Sequence, residues 1–477
     1  MNILKSKAIK GSIYFAILNI FSKIIKVISS IFLARVLTPD DYGIIAIAMV
    51  IITGMNRLNQ FGINVALIRR KKLTNIVKSN GNSLKFITSL IIVALIFIIS
   101  PYWASFYNNN AVENILKVMS LVFLIDAFVF IDKVVLTRDM NFKILSLSDA
   151  IGIFFGSILS LFLAYNDYGY WSIIYGMLLS AIIRVFIIKS NSKERLKFEF
   201  DIKIARHLLS FGGWVFLGGF LFWGYTTIDN VVIGKLLGVA TLGYYAVAYG
   251  WGTFAAENIQ NIITKTLFPA YSVMAADPAR IKNVFLKVAK VNSLIVIPVT
   301  FGLMSIADYF IMFVLGEKWW PAYEILLVLS IFGLLRALDS GSVSIFYAMN
   351  KPKYYVLLSA ITFVLILLTI YPAINSFGVI GAGVSITFSI FVSFVIQQFL
   401  LSHLLGLSIS DIVAIWLLPF FSSMLMVLVI SLIKSLLLPG LTSLVYLIAI
   451  GILTYFTALI IFTKGEIFSL YLELKKS

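Results

Sequence analysis

The chain has 477 residues, of which 61% are hydrophobic and 12% charged, with a mean hydropathy of +1.01 and a formal net charge of +17. A soluble chain of this length would need far more polar surface, so the composition excludes a soluble protein and leaves no room for a large soluble domain. Cysteine is absent, which excludes disulfides and thiolate metal sites.

Apolar runs of about 20 residues, the length that crosses the hydrocarbon core of a bilayer, recur along the whole chain. They predict an all-α polytopic membrane protein with about fourteen transmembrane helices. The predicted spans lie near 11–35, 42–66, 83–101, 114–136, 144–165, 168–189, 208–236, 241–267, 284–314, 322–348, 354–373, 378–404, 411–433 and 441–463.

Lysine and arginine concentrate in every second connection between these spans, from Lys5 and Lys10 at the start to Lys351 and Lys353 late in the chain. By the positive-inside rule, both termini are expected in the cytoplasm and the protein in the cell (inner) membrane. The basic start lacks a cleavage site, so a signal peptide is not expected. The net charge thus reports topology, and a nucleic-acid partner is not expected.

The first predicted span carries Asn19, Lys23, Lys26 and Ser30, which share one helix face because their spacings are four, three and four residues. Lysines within a membrane span are costly in lipid and are expected to face a wet cavity or a partner. The alternative is that Lys23 and Lys26 reach the cytoplasmic interface with their flexible stems.

The second predicted span has the same spacing and is repeated later in the chain. Its polar face consists of Thr53, Arg57, Gln60 and Asn64, and adding 200 to each number gives Thr253, Glu257, Gln260 and Thr264. Upstream residues agree at the same offset, for example Gly43 with Gly243. We infer that one module is used twice, with a cation in the first copy and an anion in the second.

The repeat predicts the domain organisation. Two six-helix lobes, at 1–189 and 207–404, are expected in parallel orientation because each contains an even number of spans. A polar cytoplasmic linker at 190–206 would join them, and residues 405–477 would add two helices and a cytoplasmic tail.

Arg57 stands among several polar neighbours, and together with the first span they form the predicted substrate-binding set. A static salt bridge of Arg57 is the alternative. The full set is Asn19, Lys23, Lys26, Asn56, Arg57, Gln60, Asn64 and Gln260.

The second copy of the module is acidic. Asp229 and Glu257 are predicted to act as a gate or to bind a coupling ion, H⁺ or Na⁺. Local pairs, Asp229 with Lys235 or Glu257 with Lys265, are the alternative. No cofactor is expected, because the two histidines have no metal-ligand spacing and no glycine-rich phosphate loop with its lysine occurs.

Several segments resemble a known family, and the resemblance extends over essentially the whole chain. They are FLARVLTPDDYGIIAIAMVIITGMNRLNQFGINVALIRRK (Phe32 to Lys71), TIDNVVIGKLLGVATLGYYAVAY (Thr227 to Tyr249), TLFPAYSVM (Thr266 to Met274) and GEKWWPAYEILLVLS (Gly316 to Ser330). They are similar to polysaccharide transporters, the Wzx-type flippases of the multidrug/oligosaccharidyl-lipid/polysaccharide exporter superfamily.

The resemblance implies two lobes around a central cavity and alternating access. It implies a substrate made of an oligosaccharide linked by pyrophosphate to a polyprenyl carrier, flipped from the cytoplasmic to the outer leaflet for cell-surface polysaccharide biosynthesis. The expected partners are this lipid-linked glycan, the bilayer and glycan assembly proteins, and the protein is expected to act as a monomer and not as an enzyme. The alternatives are a multidrug-type cation antiporter of the same superfamily and a membrane glycan polymerase.

Overall fold

A computed structural model describes residues 2–60, 63, 67–68, 70, 72–192, 194, 197–209, 213–258, 271, 274, 277–339 and 341–463, without the side chains of 2–16, 60, 207–209, 213–216 and 409. The secondary structure of these residues is helical and includes no strand, which confirms the predicted all-α class. Two compact units divide the chain, Met1–Gly243 and Tyr244–Ser477.

The first unit contains nine helices among its described residues. The long pairs α3 with α4 and α6 with α7 pack side by side, α1 packs on α6, and α2 packs on α4 and α9. The helices are α1 (Asn2–Val36), α2 (Pro39–Gln60), α3 (Asn75–Tyr107), α4 (Ala111–Ala127), α5 (Phe130–Arg138), α6 (Phe142–Tyr165), α7 (Trp171–Ser190), α8 (Ile202–Leu209) and α9 (Gly213–Leu236).

The start of α2 is fixed by its own sequence. The Thr38 hydroxyl accepts a hydrogen bond from Asp41 N at 3.3 Å, and the Asp41 carboxylate accepts one from Thr38 N at 2.8 Å, which forms a capping box. Pro39 occupies the first helical position, where its missing N–H is harmless. The other Asp41 oxygen accepts from Tyr170 N at 2.9 Å and ties the start of α2 to the start of α7.

The predicted linker packs on the first unit. Glu194 pairs with Lys78 at 2.6 Å, and Asp201 N donates to Asn80 Oδ1 at 2.5 Å. Ala205 on α8 is buried in a core with residues of α3 and α5. The linker thus belongs to the first compact unit, which ends at Gly243. The lobes at 1–189 and 207–404 rest on the sequence repeat and stay a prediction.

α10 (Val239–Gly252) begins in the first unit and ends in the second. The remaining helices are α11 (Pro278–Ser305), α12 (Tyr323–Leu338), α13 (Ser342–Ala348), α14 (Pro352–Leu405), α15 (Ile409–Lys434) and α16 (Leu441–Phe462), with short irregular helical turns over 307–322. α11 packs on α12 and α15, and α15 packs on α16.

α14 is a hairpin of two helices joined at Gly378. Gly378 has φ 58° and ψ −140°, a left-handed backbone that glycine adopts without strain. Beyond it the chain reverses, since Thr369 Oγ1 lies 2.7 Å from Ser385 Oγ, whereas a straight helix would separate these residues by about 24 Å. This matches the two spans predicted at 354–373 and 378–404.

Among the described residues, ten helical stretches are long and apolar enough to cross a membrane, and the α14 hairpin is one of them. The multi-pass membrane architecture is therefore clear, while the count of fourteen spans stays a prediction.

Candidate substrate site

A tryptophan on α9 joins α9 to α2. The Trp223 indole N–H donates to Val50 O and to Thr53 Oγ1, each at 3.2 Å. Gly54 leaves room for the ring, because a Cβ there would lie 2.6 Å from Trp223. Thr53, which the sequence places in the polar stripe, therefore serves helix packing, and its hydroxyl also donates to Met49 O at 2.6 Å.

Arg57 lies one turn further along α2 and is exposed, as is Asn56. The Arg57 guanidinium carbon lies 5.6 Å from the centroid of the Phe222 ring, within the range of a cation–π interaction. A charge exposed on a membrane-spanning helix needs water or a polar ligand around it. The side chain of Gln60, and all of Asn64 and Gln260, lie outside the described residues.

The other predicted cations lie on α1, a helix that packs on α6. Lys26 is exposed, whereas Lys23 and Asn19 are half-buried. A cavity shared by Lys23, Lys26 and Arg57 stays a prediction.

Sequence reasoning missed a buried cation that contacts the last turn of α2. Lys85 on α3 is 7% exposed, its ammonium donates to Asn59 O at 3.0 Å, and it lies 5.5 Å from the Phe130 ring centroid. The Asn59 side-chain oxygen accepts from Thr88 Oγ1 at 3.3 Å and Ser89 Oγ at 3.5 Å. α3 thus holds the last turn of α2, which carries Arg57.

The spacing of Lys85, Thr88 and Ser89, at three and four residues, is a signal that could have revealed this contact. The positive-inside rule by itself places Lys85 at the cytoplasmic edge of the span predicted at 83–101 and does not reveal the contact.

Four acids outside the predicted site have cationic partners. Asp132 is fully buried and pairs with Lys189 at 3.0 Å, and Asp308 pairs with Lys434 at 2.6 Å. Asp126 is shared by Lys133 at 3.0 Å and Arg184 at 3.4 Å, and Arg184 also lies 3.5 Å from Asp149.

The two predicted gating acids differ in environment. Asp229 on α9 is buried, 1% exposed, and its carboxylate accepts a hydrogen bond from Asn230 N at 2.9 Å. Lys235, its suggested local partner, donates to Phe106 O at 2.6 Å. Glu257 in the second unit is exposed. Asp229 lies on α9, the helix that also carries Phe222, whose ring contacts Arg57.

The second unit has its own buried cation. Arg336 on α12 is 7% exposed and donates to the Tyr249 hydroxyl at 3.0 Å, with its guanidinium 5.6 Å from the Phe332 ring centroid. Asp339, three residues further along the chain, accepts a hydrogen bond from Gln397 on α14. These contacts join three helices, so they indicate a structural role.

Comparison with known proteins identifies the family of the chain. Residues 32–324 match the family model described as "Polysaccharide biosynthesis protein". The chain belongs to this family.

Among its relatives, the lipopolysaccharide biosynthesis protein WzxC of Escherichia coli (strain K12) is 23% identical over 351 residues, 72% of this chain and 70% of WzxC. The teichuronic acid biosynthesis protein TuaB of Bacillus subtilis (strain 168) is 26% identical over 362 residues, 73% of each chain. The fold is similar to that of the lipid II flippase MurJ in an inward closed conformation, with a TM-score of 0.77, 18% identity, and coverage of 95% of this chain and 100% of MurJ.

The chain is therefore a multi-pass membrane protein of the polysaccharide biosynthesis protein family.

Proposed function

We propose that the protein flips polyprenyl-pyrophosphate-linked oligosaccharide from the cytoplasmic to the outer leaflet by alternating access. The observation that carries this proposal is Arg57, exposed on a membrane-spanning helix and held over the Phe222 ring. A guanidinium offers paired N–H donors that match two phosphate oxygens. Lys23 and Lys26 would add charge for the diphosphate, and Asn19 and Asn56 would offer hydrogen bonds to sugars.

Replacement of Arg57 tests this site. Arg57→Ala removes a charge-assisted hydrogen bond worth about 1.5–3 kcal/mol, so export should fall about tenfold or more while membrane insertion is retained. The measurement is the amount of lipid-linked glycan that accumulates on the cytoplasmic leaflet of cells lacking the protein and supplied with each variant.

Lys117→Ala is the matched control, because Lys117 is a half-buried cation that pairs with Glu113 one turn away at 2.5 Å. It should support normal export. Normal export by an Arg57→Ala, Lys26→Ala double variant would remove both residues from the site.

The acids Asp229 and Glu257 are proposed to couple transport to an H⁺ or Na⁺ gradient. A carboxylate with 1% exposure, such as Asp229, is costly unless it is paired or binds a cation or proton. Glu257→Gln and Asp229→Asn should keep substrate binding but change the transport rate and its dependence on an imposed gradient in proteoliposomes. An unchanged rate and gradient response in both variants would leave a structural role for the two acids.

A cation antiporter is the second candidate, because Glu257 is an exposed carboxylate. Gradient-driven uptake of a cationic dye, lost in Glu257→Gln and retained in Arg57→Ala, would favour it over the flippase.

A further inference from the structure

The repeated glycines lie at a close backbone contact within the first unit, between the starts of α2 and α10, and we call this contact and its continuation the seam. A Cβ at Gly43 would overlap the Val239 carbonyl oxygen, and a Cβ at Gly243 would overlap the Pro39 carbonyl oxygen. The two contacts are related by the offset of 200, since 43 corresponds to 243 and 39 to 239. Each copy of the module thus presents the same glycine to the other, as in a two-fold interface.

The seam continues along α2 and α9 toward Arg57. A Cβ at Gly234 would lie 3.6 Å from Ile47 Cγ1, and Gly54 lies against Trp223. As residue numbers rise on α2 they fall on α9, so the two helices run antiparallel. The seam therefore extends from Gly43, at the beginning of α2, to Trp223.

Arg57 lies where the seam ends. Two consecutive residues of α9 contact α2 there: Trp223 binds Thr53, and the Phe222 ring faces the Arg57 guanidinium. An aromatic ring holds a guanidinium by its flat face, which leaves the N–H groups at its edge available to an oxyanion. Arg57 is held in this way only while α9 stays against α2.

We propose that Phe222 is a positioning residue that presents Arg57 to the substrate diphosphate, and that this presentation requires a closed seam between α2 and α9. Diphosphate binding and seam closure then stabilise each other by equal amounts, because linkage is reciprocal. Opening the seam at the membrane face where α2 begins, predicted to be the outer face, takes Phe222 away from Arg57 and weakens the hold on the anion. The proposal rests on the proposed function, which supplies the diphosphate.

Binding of inorganic pyrophosphate to the full-length protein in lipid nanodiscs tests the positioning role. Phe222→Leu should weaken binding about 2- to 10-fold, the cost of ordering a free side chain. Phe222→Tyr keeps the ring face and should restore binding. Equal affinities of the wild type and Phe222→Leu would overturn the positioning role.

A cysteine reporter tests the link to the seam, since the chain has no cysteine of its own. Ile47 is fully buried beside Gly234, so a maleimide should label Ile47→Cys only when the seam opens. Pyrophosphate should slow the labelling of the Ile47→Cys single variant. It should not alter the labelling rate of the Ile47→Cys, Phe222→Leu double variant. Ile188→Cys, fully buried on α7 away from the seam, reports general unfolding and should not respond.

A third variant acts at a distance. Gly43→Ala pushes the start of α2 away from Val239 at the start of α10, where the seam begins. This site is fourteen residues from Arg57, about 21 Å along the helix, and the change should weaken pyrophosphate binding with Arg57 and Phe222 intact. Should this variant fail to fold, the labelling experiment still decides. Equal labelling rates of Ile47→Cys with and without pyrophosphate would overturn the link between diphosphate binding and seam closure.

The two proposals fail separately. If Arg57→Ala abolishes pyrophosphate binding and Phe222→Leu does not change it, only the positioning role is wrong. If pyrophosphate does not bind, or binds equally well to Arg57→Ala, the diphosphate site at Arg57 is wrong as well.

Discussion

At the scale of single residues, a buried lysine supports the last turn of α2. Lys85 donates to the Asn59 carbonyl near the end of α2. The positive charge also suits the negative end of the helix dipole. Hydropathy and charge counting could not predict this contact, because they register a lysine near a span end without showing which carbonyl lies opposite it.

Lys85→Met keeps the length of the side chain and removes the donor. Losing this charged hydrogen bond should cost about 1.5–3 kcal/mol, seen as a lower midpoint of thermal unfolding in detergent. Lys117→Met breaks a partly exposed pair with Glu113 and should change stability by only about 0.5 kcal/mol. Equal shifts in the two variants would show that the Asn59 contact adds nothing.

At the scale of helices, the sequence predicts apolar spans well and their interruptions less well. The spans predicted at 144–165 and 168–189 correspond to α6 (Phe142–Tyr165) and α7 (Trp171–Ser190). The span predicted at 322–348 is instead divided into α12 and α13, where Gly341 adopts φ 102°. Hydropathy measures how strongly a segment prefers lipid to water. A change in the backbone angles of one residue, as at Gly341, hardly alters that preference, so hydropathy does not reveal the interruption.

Close approach of backbones fixes the crossing of α10 and α12 in the second unit. A Cβ at Gly333 would overlap the Gly252 carbonyl oxygen, and Gly252 itself would place a Cβ 2.9 Å from the Leu329 backbone. Gly333→Ala should therefore separate the helices and destabilise the protein by about 1–3 kcal/mol.

Gly250→Ala, on α10, is the matched control, because nothing lies within 4 Å of its added Cβ. Both changes restrict the unfolded chain equally. Gly250→Ala should be neutral or raise stability by up to about 1 kcal/mol, since alanine favours helix. A similar thermal midpoint for both variants would argue against the close crossing.

At the scale of the whole molecule, the sequence supplies class and family, and part of the site. The membrane-spanning all-α fold follows from composition, and the repeat at offset 200 appears in the reciprocal contacts of Gly43 and Gly243. Arg57 is exposed, as a ligand-binding cation requires. Phe222 and Trp223 could not be predicted as its neighbours, because the pairing of α2 with α9 is a tertiary contact that leaves no mark on the periodicity of either helix.

The hairpin of α14 has a consequence for how the chain enters the membrane during synthesis. From Tyr354 to Ser402 the sequence contains no Asp, Glu, Lys or Arg, and the reversal at Gly378 needs no polar loop. Carrying charged residues across the hydrocarbon is the costly step of insertion, and here there are none to carry. The two arms can therefore partition into the bilayer together as one unit, with the cations Lys351 and Lys353 remaining on the side where synthesis takes place.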